Sequence, residues 1–273
     1  MDGESKMTFN NQVVRPASHD YGYTQVHVDP ANDPQKELII LIKEENHERV
    51  REFLASLPHP EQIINQKDRE FQQTAMYSAV QLRNSDSAFK IASVLAEFGA
   101  SFKTKDIHGQ SPLFYVCKDG NIPLLKMAHG YQIDLNEADN FRQTPLFYAS
   151  REGHANCIRE MINCGADPNH KDKVNETALF YAARDGRYQA VNVLLDSGAD
   201  PNIIDDKKQT ALFFAKKNNH KDVIDLLISK GAINTKDGRL TKADLVRATK
   251  SNIRSSCLEA TASRSCFRES AQF

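Results

Sequence analysis

One stretch of the chain decides its fold: Thr144 to Asn169, which reads TPLFYASREGHANCIREMINCGADPN. Its opening tetrapeptide recurs at a constant spacing of about 33 residues. The four copies are Ser111-Pro112-Leu113-Phe114, Thr144-Pro145-Leu146-Phe147, Thr177-Ala178-Leu179-Phe180 and Thr210-Ala211-Leu212-Phe213. A fixed period of this length indicates a supersecondary unit that buries its apolar face by stacking on copies of itself. The sequence therefore predicts a repeat protein.

Local signals within this stretch predict two helices joined by a tight turn. Thr144 precedes Pro145, so we expect the Thr144 hydroxyl to cap a helix whose first residue needs no N–H. Gly153 interrupts that helix, and Gly165 supplies a left-handed residue at the end of the next one. The second helix is indicated by apolar residues at helical spacing, namely Ile158, Met161 and Ile162.

The combined pattern resembles the ankyrin repeat over about residues 35 to 237. The match is closest in Thr177-Ala178-Leu179-Phe180-Tyr181-Ala182-Ala183, Gly186, Val191, Val193-Leu194-Leu195 and Gly198-Ala199-Asp200-Pro201-Asn202. The resemblance implies an all-α solenoid of stacked helix-turn-helix units with β-turn tips. It also implies a concave surface formed by the tips and the first helices.

An aromatic pair replaces the histidine that the family pattern places in the tetrapeptide. The pairs are Phe114-Tyr115, Phe147-Tyr148, Phe180-Tyr181 and Phe213-Phe214. We expect these rings to fill the space between stacked units, since each buries a large apolar area. The alternative is an aromatic ladder that faces a ligand.

The register divides the chain into six predicted units between two tails predicted to be disordered. The units are 34–67 (a capping repeat), 68–105, 106–138, 139–171, 172–204 and 205–237; the tails are 1–33 and the Ser- and Arg-rich 251–273. We expect about four extra residues around Arg83 before the second helix of 68–105 resumes. Gln132, in place of a glycine, predicts a different end for unit 106–138. Thr241 and Asp244 resemble a capping box, which predicts a further capping helix over 238–250.

Composition narrows the classes of partner. The net charge of −1 with 26% charged residues lacks the basic excess of a nucleic-acid-binding protein. No run of 18 apolar residues occurs, so membrane insertion is not expected. The odd number of cysteines, five without a CxxC pair, predicts reduced thiols and a cytoplasmic protein, with the nucleus as an alternative. They are Cys117, Cys157, Cys164, Cys257 and Cys266.

Each polar residue that chemistry would need has a structural role in the repeat. His154 and His220 are expected to bond loop backbone, as the resemblance implies, and Cys157 and Cys164 to lie in helix cores. The aspartates that open successive turns are expected to bond turn backbone: Asp106, Asp139, Asp172 and Asp205. No phosphate-binding, dinucleotide-binding or nucleophile motif is present. We therefore expect no enzyme activity, cofactor, metal site or small-molecule substrate.

The resemblance implies that variable residues of the turn tips and first helices contact a protein partner. Among these positions, Lys118, Arg151, Arg184 and Lys217 recur at the repeat spacing, which predicts a basic row accompanied by acidic residues; the alternative is a solvated face. The candidate protein-binding residues are Phe141 (an apolar anchor), Lys118, Asp119, Arg151, Glu152, Lys173, Arg184, Asp185, Lys207 and Lys217. The polar tip positions Gln110, Gln143, Glu176 and Gln209 belong to the same implied surface.

The functional hypothesis is a non-enzymatic protein-interaction module, an adaptor or scaffold for a partner of unknown identity. The first alternative is an inhibitory or regulatory subunit of an enzyme complex. A further alternative is a signalling component phosphorylated in its tail, where Ser255 and Ser265 follow arginines. The repeat end at Asn202 resembles sites that asparaginyl hydroxylases modify in the family, which makes Asn202 a candidate modification site.

Overall fold

The computed structural model describes residues 33–235 and residue 244. This part of the chain contains thirteen helices and no β-strand, as the all-α prediction requires. They are α1 (Pro34–Lys43), α2 (His47–Ser56), α3 (Pro60–Ile64), α4 (Ala75–Val80), α5 (Ser85–Glu97), α6 (Pro112–Lys118), α7 (Ile122–Gly130), α8 (Pro145–Glu152), α9 (Ala155–Asn163), α10 (Ala178–Arg184), α11 (Tyr188–Asp196), α12 (Ala211–Lys217) and α13 (Lys221–Ser229). The predicted leader up to residue 32, the tail 251–273 and, apart from residue 244, the predicted helix 238–250 lie outside the described residues.

The helices form two layers. The first helices of successive units, α1, α4, α6, α8, α10 and α12, each pack on the next, and so do the second helices α2, α5, α7, α9, α11 and α13. We number the helix pairs as units one to six. The short helix α3 follows the first pair and was not predicted. Asp33, predicted to belong to the leader, caps α1, because its Oδ1 accepts the N–H of Gln35 at 3.1 Å.

Unit four contains both the expected turns and one exception. Gly153 and Gly165 have left-handed backbones with φ of 89° and 97°, as predicted. Thr144 occupies the N-cap position, but its hydroxyl accepts no helix N–H, so the predicted side-chain cap is wrong. Pro145 carries no N–H, and the Thr144 carbonyl accepts the N–H of Phe147 at 3.0 Å. The backbone therefore begins this helix without help from the hydroxyl.

Of the two predictions about irregular units, the one for unit two is wrong. The extra residues of unit two lengthen α5 rather than the loop before it, because Asn84 accepts the N–H groups of Asp86 and Ser87 and starts the helix there. Unit three keeps the left-handed residue, since Gln132 adopts a φ of 55° at the position of Gly165, but it lacks the closing bond that the Ala166 N–H makes to the Met161 carbonyl at 3.0 Å in unit four. A polar side chain tolerates this backbone where glycine is absent, at some cost in strain.

The aromatic pairs pack between units, which confirms the space-filling interpretation. Phe114, Phe147 and Phe180 are each about 1% exposed. Phe114 lies edge to face with Tyr148 of the next unit, and Phe147 with Tyr181, with ring centroids 5.6 Å apart in both pairs. These contacts tie neighbouring first helices together. Cys157 is also buried, as predicted, whereas Cys164 is half-buried.

Asparagine side chains connect the ends of neighbouring units. Asn169 donates from Nδ2 to the carbonyl of Gly198 at 3.1 Å and accepts the N–H of Asp200 at 2.8 Å. Equivalent bridges are made by Asn65, Asn136 and Asn202. Unit two has Lys103 at this position, and there the ring of Phe102 stacks on Tyr131 at 5.8 Å instead. The bridge is therefore replaced by an apolar contact between units two and three.

Candidate protein-interaction surface

Each turn tip of units three to six is built around one aspartate. Oδ1 of Asp139 accepts the N–H groups of Phe141 and Gln143 at 2.8 and 2.9 Å, while its own N–H donates to the Gln143 carbonyl at 2.9 Å. Asp106, Asp172 and Asp205 make the corresponding bonds. This confirms the predicted role of the four aspartates. It also forces the side chain two residues after Asp139 to the outside of the turn.

Four successive tips expose a large apolar side chain. We call them the tip row: Phe71, 44% exposed, Ile107, 45%, Phe141, 57%, and Val174, 47%. Backbone bonds join these tips, for example from Lys173 N–H to the Phe141 carbonyl at 3.1 Å. At its first member the row borders a cavity of about 840 Å³ lined by Phe71, Ile39 and Ile40. Of the tip row, only Phe141 was predicted as an anchor.

Beneath the tips, buried polar groups connect neighbouring units. Oδ2 of Asp139 accepts the Tyr148 hydroxyl at 2.8 Å and Nε2 of Gln110, from the preceding unit, at 3.1 Å. Gln143 bonds Asp172 and the Tyr181 hydroxyl in the same way. Burial, and then the bond to Asp139, raise the pKa of Tyr148 well above its ordinary value, so its hydroxyl remains a donor.

These polar groups correct the implied surface. Gln110, Gln143, Glu176 and Gln209 are buried, with no more than 9% exposed, so they are not free to contact a partner. The missed signal was in the sequence: a glutamine four residues, and a tyrosine nine residues, after the tip aspartate recur in the same register.

The last junction departs from this pattern at two positions together. Phe214 replaces the tyrosine, and Glu176 replaces the glutamine. Oε1 of Glu176 accepts instead from Nη2 of Arg184 at 2.6 Å. Burial raises the pKa of Glu176, the Arg184 charge opposes that effect, and the charges of Asp172 and Asp205 add to it. At this junction the carboxylates of Glu176, Asp172 and Asp205 therefore lie near a single guanidinium, that of Arg184.

We expect the double substitution Glu176→Gln with Phe214→Tyr to stabilise the protein by about 1 kcal/mol or more, because it installs the Gln–Tyr–Asp contacts of the other junctions. Because folding raises the pKa of the Glu176 carboxyl, the folded protein loses stability as the pH rises above the ordinary pKa of 4.5. The gain should therefore be larger at neutral pH than in acid. Urea unfolding of the wild type, both single variants and the double variant at two pH values measures it; a double variant less stable than the wild type contradicts the expectation.

A ladder of rings and guanidinium groups runs across units four to six. Cζ of Arg151 lies 5.6 Å from the ring centroid of Tyr148 and 4.8 Å from that of Tyr181. Cζ of Arg184 lies 5.0 Å from Tyr181 and 4.3 Å from Phe214. We call these five residues the arginine ladder. The two arginines of the predicted basic row are thus half-buried and stacked, a contact worth about 0.5–1 kcal/mol each near a surface.

The other candidate residues are at the surface or outside the described part. Lys118, Asp119, Glu152, Lys173, Asp185, Lys207 and Lys217 are exposed. Asn202 is half-buried with both amide atoms bonded between units. Ser255 and Ser265 lie outside the described residues.

His154 and His220 both bond to backbone carbonyls, as predicted. Nε2 of His154 lies 2.8 Å from the Lys118 carbonyl, and Nε2 of His220 lies 3.0 Å from that of Arg184. Arg187 takes the same place in unit five, donating from Nε to the Arg151 carbonyl at 2.9 Å. Among the described residues no group of three or more His, Cys, Asp or Glu could hold a metal ion. No described helix is long and apolar enough to span a membrane.

Comparison with known proteins agrees with this architecture. A family model described as ankyrin repeats in three copies matches residues 87–172, 113–205, 156–237 and 179–257. No curated protein matches the chain. The matched residues together cover more than half of the chain. The chain therefore belongs to the ankyrin-repeat family, whose repeats are generally protein–protein interaction modules.

Proposed function

We propose that the chain is an adaptor or scaffold that docks a segment of a protein partner against the tip row and the adjoining ends of the first helices. The main support for this proposal is the tip row, in which four successive turns expose a large apolar side chain to solvent: Phe71, Ile107, Phe141 and Val174. Large apolar side chains exposed in consecutive order along one edge mark an interaction surface. Aromatic side chains in such positions carry much of the binding energy of known interfaces.

The backbone of the tips supports binding of a partner in one fixed geometry. The tips are joined to one another by backbone bonds, and each is held by its aspartate. The backbone of the tips therefore needs little ordering when a partner binds, which reduces the entropic cost of association. The exposed charges of the tips and of the first-helix ends are proposed to set orientation and selectivity; they are Lys118, Asp119, Glu152, Lys173, Asp185, Lys207 and Lys217.

The proposal assigns binding rather than catalysis to this surface. The residues that acid–base chemistry would require are engaged in the fold: Asp139 and Asp172 by turn backbone and tyrosines, and His154 and His220 by loop carbonyls. We propose a cytoplasmic location because the described cysteines, Cys117, Cys157 and Cys164, are free thiols. A regulatory subunit would use the same surface, and hydroxylation of Asn202 is proposed as a modification of the array.

The test compares two pairs of exposed apolar residues. We expect Phe141→Ser with Val174→Ser, in the full chain, to weaken capture of partners from an extract of the native source by about tenfold or more, as measured by quantitative mass spectrometry. The matched control is Phe89→Ser with Ile228→Ser, which removes apolar side chains 38% and 37% exposed on the second-helix layer. Equal retention of the same partners by both variants would refute the tip row as the docking surface.

A further inference from the structure

We propose that Arg151 is an anchor for a carboxylate: it binds an Asp or Glu side chain of the partner's extended segment. This inference rests on the proposed function and names the chemistry that the surface selects. Its starting point is a difference between the two arginines of the ladder. Arg184 donates to a carboxylate of its own chain, whereas no described residue accepts a hydrogen bond from the guanidinium of Arg151.

The guanidinium of Arg151 is held in place without an acceptor. It lies between the rings of Tyr148 and Tyr181, and those rings are themselves fixed by hydroxyl bonds to Asp139 and Asp172 at 2.8 and 2.9 Å. Stacking uses the faces of a guanidinium and leaves its N–H edges to donate. Those edges match the two oxygens of a carboxylate, and an already oriented group loses little entropy on binding one.

The neighbouring unit contains the same arrangement with its ligand present. Arg184 is stacked between Tyr181 and Phe214, and its Nη2 donates to Oε1 of Glu176 at 2.6 Å. The residue of unit four that corresponds to Glu176 is Gln143, which is committed to Asp172 and the Tyr181 hydroxyl. One amide in place of one carboxylate therefore leaves Arg151 without a counter-ion. Glu176 indicates which group fits a guanidinium held in this way.

The surrounding charges favour a single carboxylate over a more highly charged anion. Glu152 follows Arg151 directly, and Asp119 and Asp185 occupy the same position in the adjoining units, all three exposed. These carboxylates repel a phosphate dianion or a nucleic-acid backbone more strongly than a monoanion. Lys118, one unit before Arg151, is exposed and adds attraction at longer range. The partner segment therefore carries an acidic residue without an acidic run around it.

The experiment uses a displayed library of random peptides selected on the full chain. Binders are labelled and measured by fluorescence polarisation against the wild type, Arg151→Gln and the matched control Arg159→Gln, an exposed arginine of α9 in the second-helix layer. We expect selection of an acidic position, and an affinity loss of about tenfold for Arg151→Gln and none for Arg159→Gln. Amidation of the peptide's acidic residue should cost as much, with no further loss when both changes are combined.

The outcomes separate this inference from the proposed function. Peptides that lose affinity with the Phe141→Ser/Val174→Ser variant but keep it with Arg151→Gln would overturn the anchor and leave the docking surface standing. A library that yields no acidic position overturns the anchor as well. A phosphoserine peptide that binds more tightly than its Glu counterpart would show the wrong anion class. Peptides indifferent to both variants count against the docking surface too.

Discussion

Phe147→Ala is expected to lower the free energy of unfolding by about 3–5 kcal/mol, the range for removing a buried aromatic ring. Phe147 is 1% exposed in the middle of the first-helix layer, and its ring meets Tyr181 at 5.6 Å and His170 at 6.2 Å edge to face. Loss of the ring leaves a cavity between units four and five and removes both contacts. The tight stacking of α8 on its neighbours gives little scope for that cavity to close.

The measurement is urea unfolding monitored by circular dichroism, because the chain contains no tryptophan whose fluorescence could report unfolding. Phe141→Ala is the matched control: the same side chain is truncated where it is 57% exposed, and the expected change is within about 0.5 kcal/mol. Similar losses in the two variants would show that the aromatic pairs do not hold the stack together.

Asp139→Ala is expected to lower the free energy of unfolding by about 3 kcal/mol or more, because the Asp139 carboxylate accepts four hydrogen bonds. Its donors are the N–H groups of Phe141 and Gln143, the Tyr148 hydroxyl and Nε2 of Gln110. Asp139 is 7% exposed, so several of these donors lose a partner away from bulk water. The substitution acts on a tip and on a junction between units at once.

Two companion variants make this result interpretable. Asp139→Asn keeps one acceptor oxygen and should be less destabilising than Asp139→Ala in the same urea experiment. Asp225→Ala, at an exposed position of α13, should change the free energy of unfolding by no more than about 0.5 kcal/mol. An Asp139→Ala protein as stable as the Asp225→Ala protein would mean that the tips fold independently of the aspartate.

The periodic part of the fold was predictable because each unit repeats the same local signals. Gly153 and Gly165 end the two helices of unit four, and each tetrapeptide of units three to five contains a phenylalanine that is buried. The position of the insertion in unit two was not predictable from the register, because a longer second helix and a longer loop give the same chain length. In unit two Asn84 caps α5 at the same distance from Thr74 as His154 lies from Thr144, so α5 starts in register and the inserted residues lengthen it.

The candidate surface was harder to predict because residue type does not reveal where a polar side chain finds its partner. Glutamine is a residue type that is usually exposed, but the Gln143 side chain donates to Tyr181 and Asp172 of the next unit. Arg151 and Arg184 occupy equivalent positions, and their difference depends on Glu176, a residue in another part of the unit. Side-chain pairing between units is a property of the stack, and the period of the sequence does not reveal it.

The two kinds of side-chain bridge between units bear on how the stack opens. Both the asparagine bridge and the Gln–Tyr–Asp contacts are present on each side of unit four. At the junction of units two and three, the stacked rings of Phe102 and Tyr131 replace the asparagine bridge. At the junction of units five and six, the bond from Arg184 to Glu176 replaces the Gln–Tyr–Asp contacts. Opening events in a linear array start at its weaker junctions. The backbone amides of unit four should therefore be among the slowest to exchange with solvent, and the free guanidinium of Arg151 belongs to the segment that opens least.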